Sequence, residues 1–252
     1  MDTQSALTPP LKHKPGDRMH WGNLYGSSQG LVIANAARNA GARSVAYTYN
    51  DPVIFHEYAI DTARACREAG IKNVAVTAGY INAEPRIEFF ENMDAANVDL
   101  KAFTEKFYWQ LTGGHIQPVL ETLEYLVHKT TTWVEITTLL IPGKNDSDAE
   151  IQQLAEWVGT KLTPHVPVHF TAFHPDFKML DLPRTPAETL LNARKVALAC
   201  GLRHVYIGNV HDEAAQSSYC FQCKGKVVGR DWHQLSHWAL TADGHCQNCG
   251  TT

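Results

Sequence analysis

The sequence predicts an α/β fold on parallel strands, a (β/α) barrel or part of one, and three observations carry that reading. Helical and strand patterns alternate regularly from about Gln29 onward. The β-rich runs are short and almost continuously apolar, as strands buried on both faces are. Helical crossovers separate them, and only such a connection returns a chain for parallel pairing. A doubly wound open sheet is the competing architecture, but no GxGxxG follows a strand to support a dinucleotide site there. At roughly 150 residues per domain, 252 residues allow one large domain, or one plus a small appendage.

Residues up to about Gly26 hold Pro9, Pro10 and Pro15 and no periodic pattern. Ser44 to Tyr49 reads as the first strand. Phe55, Tyr58, Ala59, Thr62, Ala63 and Cys66 then recur at helical spacing, with Gly70 as a stop. A strand over Asn73–Ala78, a helix over Glu84–Asn92 and a strand over Ala96–Lys101 follow. Pro118 opens a helix with Val119, Leu120, Leu123, Leu126 and Val127 on one face, and Trp133 to Ile141 is the next strand. Ser147 with Glu150, and Thr185 with Glu188, have the spacing of capping boxes for helices ending near Leu162 and Gly201. Strands over Val168–Phe173 and His204–Ile207 complete the set. The chain divides into an irregular segment at 1–27, a barrel-like domain at 28–211 and a cysteine-bearing segment at 212–252.

Charge and composition exclude several classes. Twenty-two Lys and Arg against 26 Asp and Glu give a net charge of −4, which provides no field for a phosphate backbone and argues against nucleic acid. No apolar run approaches the roughly 18 residues of a membrane span. Met1 to Gly26 lacks an apolar core and a small-residue cleavage pattern, so the expected compartment is the cytoplasm.

Polar residues just past the C-terminal ends of parallel strands converge on ligands. Here those exits carry Asn50-Asp51-Pro52, Thr77-Ala78-Gly79, Asp99-Leu100-Lys101, Ile141 to Asp146, His174-Pro175 and Gly208-Asn209. Asp99 and Lys101 are two apart, so on a regular strand they point the same way and could grip a zwitterion; an internal ion pair is the plainer reading. Asp51 before Pro52 also suits a turn, Thr77 a hydroxyl bonded to its own backbone, and His174 a side chain supporting the next loop. No residue is identified as catalytic.

The strongest local signal is Cys220-x-x-Cys223 with Cys246-x-x-Cys249. Two thiolate pairs form a closed tetrahedral set suited to structural zinc, so a zinc-ribbon-like segment is expected; an iron–sulfur cluster on the same four is the alternative. His233, His237 and His245 could replace a thiolate. Cys66 and Cys200 stand alone in helical patterns, and disulfides are not expected.

The runs AYTYNDPVIFHEYA, VAVTAGYI, AANVDLKAF, VEITTLLIPGKND, FTAFHPDFKM and VYIGNVHD leading to SYCFQC, in this order from about Gln29, resemble the radical S-adenosylmethionine (SAM) enzymes of the AmmeMemoRadiSam group, relatives of the pyruvate formate-lyase activating enzymes. The resemblance implies a partial (β/α)6 TIM-like barrel that binds SAM across its strand ends. It places Asp51 where the acid of a Gly-Gly-Glu-like motif holds the methionyl amino group. It puts Asp99 and Lys101 in an Asp-Leu-Lys motif at the cofactor, His174 near its far side, and Thr77 in a Thr-Asn-Gly segment whose Asn is Ala78 here. The implied activity is formation of a 5′-deoxyadenosyl radical and hydrogen abstraction, as an enzyme or an activase. A protein substrate, or a Memo-like or AMMECR-like protein, is the implied partner.

Such enzymes hold a [4Fe–4S] cluster on a CxxxCxxC loop after the first strand, and no cysteine precedes Cys66. The expectation is a truncated barrel lacking its first unit, with a degenerate pseudo-enzyme or completion by another polypeptide as alternatives. Loss of a strand would leave an edge prone to self-association. Two further functions compete: a catalytically inactive zinc-ribbon interaction module, and a lyase forming a Schiff base on Lys101, which Asp99 beside it opposes.

Overall fold

The computed structural model describes residues 21–251. Helix α1 (Trp21–Asn39) leads into strand β1 (Ser44–Tyr47), a 3-10 turn over Pro52–Phe55 and helix α2 (His56–Glu68). Strand β2 (Lys72–Thr77), helix α3 (Ala83–Glu91) and strand β3 (Ala95–Asp99) follow. Next come a single turn α4 (Glu105–Phe107), helix α5 (Gln117–Lys129), strand β4 (Trp133–Leu140) and helix α6 (Asp148–Trp157). Strand β5 (Val168–Ala172), helix α7 (Ala187–Ala199) and strand β6 (Val205–Gly208) end the domain. The last part of the chain holds α8 (Glu213–Gln216) and strands β7 (Ser218–Tyr219), β8 (Lys226–Asp231) and β9 (Gln234–Trp238).

All six strands of the main sheet pair in parallel in the order β1-β2-β3-β4-β5-β6. Burial alternates along each strand with the two-residue period of extended chain. Ala75, Val98, Ile136, Phe170 and Val205 face the helices and join Ala59, Leu123, Ile151 and Leu190 in one core. The other set, including Asn97, Asp99, Glu135, Thr137, His169 and Tyr206, is half-buried on the face the helices do not cover. That inner face is where polar chemistry is available. The ribbon β7-β8-β9 is antiparallel and has a core of only Cys220, Val227, Val228 and Cys246.

Three local readings of the sequence are corrected. Helix α1 begins at Trp21, ahead of the expected onset of pattern and across the boundary at residue 27. It packs on α2 through Gly30 and Ala34, small residues that leave no hydrophobic stripe to read. A Cβ on Gly30 would lie 3.1 Å from the Cα of Thr62, so a larger residue would push the two helices apart by a few tenths of an ångström. The second correction concerns Thr185, which does not cap α7. Pro186 is the N-cap, and the buried Thr185 hydroxyl accepts from the Phe173 N–H and donates to the Leu140 carbonyl, reinforcing the 3.3 Å backbone bond between those two groups at the strand ends. Ser147 does cap α6, accepting from the Glu150 N–H at 3.3 Å. Glu150, however, does not reach back: its carboxylate accepts from the Phe103 N–H at 2.8 Å. Thirdly, β3 stops at Asp99, which leaves Lys101 beyond the ladder.

Candidate functional site

At the exits of β1 and β2, Asp51 ties two loops together. Its Oδ1 accepts from the Val53 N–H, capping the 3-10 turn, and from the Thr77 hydroxyl at 2.9 Å; its Oδ2 accepts from the Ala78 N–H at 2.7 Å. Three of the roughly four acceptor positions of a carboxylate are filled, leaving one on Oδ2. Thr77 is buried and also accepts from the Gly79 N–H at 3.0 Å, the local backbone bond expected of a strand-end hydroxyl. Gly79 has φ +66°, and a Cβ there would lie 2.8 Å from Val98 Cγ1. The turn is thereby pressed against β3.

At the β3 exit, Lys101 Nζ donates to Asp99 Oδ2 at 2.8 Å, with each side chain over a third exposed. The peptide of Lys101 is pinned on both sides: its N–H donates to the Tyr108 hydroxyl at 3.1 Å and its carbonyl accepts from Asn145 Nδ2 at 2.6 Å. Asn145, 2% exposed, also donates to the Leu139 carbonyl and accepts from the Ile141 N–H at 2.7 Å. One buried amide therefore fixes the β3 and β4 exits relative to each other. The sequence placed Asn145 in the exit run Ile141 to Asp146; its bridging role has no local signature. Burial holds the Tyr108 phenol well above its ordinary range and so protonated.

His174 is exposed just beyond β5. Asp51 and Thr77 are brought together, as are Asp99 and Lys101, but among the described residues no hydrogen bond joins His174 to either pair. At the β6 exit, Asn209 adopts φ +60° and its amide donates to the Ala172 carbonyl at 3.2 Å.

The ligand atoms of Cys220, Cys223, Cys246 and Cys249 lie within 4.8 Å of one another, with Sγ separations of 3.6 Å for Cys220–Cys249 and 3.8 Å for Cys223–Cys246. Four thiolates about 2.3 Å from one tetrahedral ion lie about 3.8 Å apart, so the set fits a single metal ion. In a [4Fe–4S] cluster each thiolate binds a different iron, which spreads the sulfurs further. Both Cys-x-x-Cys turns close through a left-handed residue, Lys224 at φ +60° and Gly250 at φ +73°.

Sequence reasoning missed a second polar group, on the inner face. Glu135 Oε2 lies 2.7 Å from His169 Nε2 and its Oε1 accepts from the Trp133 indole at 3.0 Å. His169 stacks on Tyr206, its register partner across β5 and β6. The Tyr206 hydroxyl meets Ser218 Oγ at 2.7 Å, and Arg230 donates to the same oxygen. The His169 hydrogen bond holds the Glu135 carboxyl below its usual range against the opposing effect of burial. A carboxylate and an imidazole in otherwise apolar strands were the available signal.

A six-stranded parallel α/β sheet with an ion pair and a carboxylate-anchored turn at its strand exits, followed by four cysteines spaced for one metal ion, defines the class of protein to which this chain belongs. Residues 31–157, half of the chain, match the sequence profile described as the Radical SAM superfamily, and the chain belongs to that superfamily. Among curated relatives, the uncharacterised protein MJ0808 of Methanocaldococcus jannaschii is 37% identical over 198 residues, 79% of this chain and 58% of that protein. Pyruvate formate-lyase 1-activating enzyme of Escherichia coli is 29% identical over 121 residues, 47% of this chain and 49% of that protein. The chain spans about half the length of the curated relatives it matches. A domain of pyruvate-formate lyase-activating enzyme from Bacteroides vulgatus shares the fold with a TM-score of 0.58 at 19% identity, over 66% of this chain and 99% of that one. Among the described residues no helix is long and apolar enough to cross a membrane.

The superfamily implies SAM and an iron–sulfur cluster, and the two fit this chain differently. The rim offers a paired carboxylate and ammonium of the kind an amino-acid zwitterion exchanges with. For the cluster, the 252 residues contain no CxxxCxxC. Cys66 is buried beside Ala34 of α1 and Ile71, Cys200 caps α7, and the remaining four are spaced for one ion. These cysteines do not fit a radical-generating cluster.

Proposed function

We propose that this chain is a radical SAM protein of the AmmeMemoRadiSam group whose strand exits bind S-adenosylmethionine. The Asp99–Lys101 ion pair carries the reading: it is partly exposed on the inner face and its backbone is immobilised by Tyr108 and Asn145. Lys101 would take the methionyl carboxylate and Asp99 the ammonium, each replacing a contact it already makes within the pair. Asp51 would add its remaining Oδ2 acceptor to the ammonium, with Thr77 holding the carboxylate in place, and His174 would approach from the far side. Bound SAM, when reduced by a cluster, is the superfamily's source of a 5′-deoxyadenosyl radical; the residues here bind and orient it. An amine tied to a carboxylate at 2.8 Å is a poor Schiff-base nucleophile, which disfavours a lyase. Zinc is the ion we infer at the four thiolates. The motif order also favours a protein substrate or a Memo-like or AMMECR-like partner, and cysteines spaced as metal-type CxxC pairs suit the cytoplasm.

Calorimetry with SAM on the metal-loaded chain tests this. Asp99→Asn and Lys101→Met should each weaken binding about tenfold or more, the cost of one charge-assisted hydrogen bond. 5′-Methylthioadenosine, which lacks the amino-acid head, should bind wild type and variants alike. No heat of SAM binding, or equal losses for both ligands, would overturn the proposal.

A further inference from the structure

Between the inner face of β4–β6 and the C-terminal ribbon lies a cleft of about 990 Å³ that no part of the SAM reading uses. It reaches from Trp133 and His204, at the starts of β4 and β6, along β6 to Gly208 and Asn209. Clefts of about 300–1,000 Å³ suit small molecules. One wall is barrel, with Trp133, Glu135 and His169; the other is ribbon, with Arg230, Trp232 and Trp238.

The charges within reach are mostly committed to the chain itself. The Arg230 guanidinium donates to Ser218 Oγ at 2.8 Å and lies over the Tyr206 ring. Arg203 lies 4.3 Å from the Phe221 ring centroid and pairs with His165, while burial lowers the His204 imidazole toward its neutral form. Glu135 differs. Each oxygen makes one hydrogen bond, which leaves acceptor capacity on both, and the side chain is 35% exposed. Three of the six tryptophans, Trp133, Trp232 and Trp238, line the cleft with 58%, 54% and 58% of their surfaces uncovered. Half-exposed indoles on both walls of a cleft that also holds a carboxylate with spare acceptor capacity suit a flat ring carrying a cationic donor, since indole faces attract both rings and cations.

We propose that this cleft is a second ligand site, for a small aromatic amine, with Glu135 receiving the ammonium and the indoles of the two walls receiving the ring. It is independent of SAM, and because half of its wall is ribbon, it depends on the metal that holds the ribbon together.

The test titrates 2-phenylethylamine into the metal-loaded full chain without SAM and follows tryptophan emission. A saturable change is expected, weaker by about tenfold or more for phenylacetate, which reverses the charge, and for 2-cyclohexylethylamine, which removes the ring. Glu135→Gln, which still accepts from Trp133, should cost about tenfold, as loss of a charged hydrogen-bond partner does. Trp238→Ala, changed on the ribbon alone, should also weaken binding while the circular dichroism and metal content stay unchanged. No saturation below about 10 mM, equal affinity for phenylacetate, or wild-type affinity in both variants would overturn the site. SAM calorimetry on the same variants should be unaltered, so failure here is distinguishable from failure at the rim.

Discussion

Asn145 offers a direct test of how the strand exits are held. Its side chain is 2% exposed and makes three hydrogen bonds, to the Ile141 N–H and to the carbonyls of Lys101 and Leu139, at 2.7, 2.6 and 2.9 Å. Replacing it by alanine leaves one donor and two acceptors buried without their partner. At about 1 kcal/mol net for each bond, and up to 3 kcal/mol for a group left unsatisfied, the loss should be about 3–5 kcal/mol. Asn145→Asp is the sharper probe. It keeps the acceptor for Ile141 but turns a carboxylate oxygen on two carbonyls, which favours the protonated acid. The folded-state pKa is then raised above the unfolded value near 4, so the deficit should be smallest below about pH 4. It should grow as pH rises toward the folded pKa and level off above it. Urea unfolding followed by tryptophan emission across this range measures both variants. An alanine cost under about 1 kcal/mol, or a pH-independent aspartate deficit, would refute the argument that this amide locks the β3 and β4 exits.

Chelation of the metal, or Cys220→Ser, should release the ribbon, because four small buried residues cannot hold three strands by apolar burial alone; proteolysis within 220–249 and one ion per chain by elemental analysis are the readouts, and a protease-resistant apo ribbon would contradict this. Glu135 has a lowered pKa in the fold, so its contribution is present above the unfolded value near 4.3 and is lost as pH falls through the folded pKa. Stability curves of wild type and Glu135→Gln should therefore converge in acid; curves parallel throughout would show that the His169 contact adds nothing. Gly79→Ala should destabilise by about 1–3 kcal/mol in thermal unfolding, through its φ of +66° and the 2.8 Å approach to Val98. Lys224→Gly should stabilise the loaded ribbon by about 0.5–1 kcal/mol by removing left-handed strain.

Much of the sheet was legible because its strands are short runs rich in apolar residues and its helices carry stripes: all six strands, and the helices at α2, α3, α5, α6 and α7, lie within a few residues of where periodicity put them. Helix α1 was not, since a contact made by Gly30 and Ala34 has no hydrophobic signature. The exits were legible as a set of polar residues, and the Asp99–Lys101 pairing followed from two-residue spacing. Their supports were not. Asn145 acts across a separation of 44 residues and Thr185 across 45, distances at which no local pattern reports a partner. The Glu135–His169 pair failed for a related reason: on these strands the polar parity marks an uncovered face, which a reading that assumes burial on both sides overlooks.

The strict alternation along β2–β6 has a consequence for how such a chain can diversify. Positions of one parity are locked into the helical layer, where a lost methylene is felt throughout the interior. Positions of the other parity border open space, and single replacements there leave the scaffold intact. New ligand preferences can thus be sampled residue by residue along the uncovered face, while the architecture that presents them stays as it was.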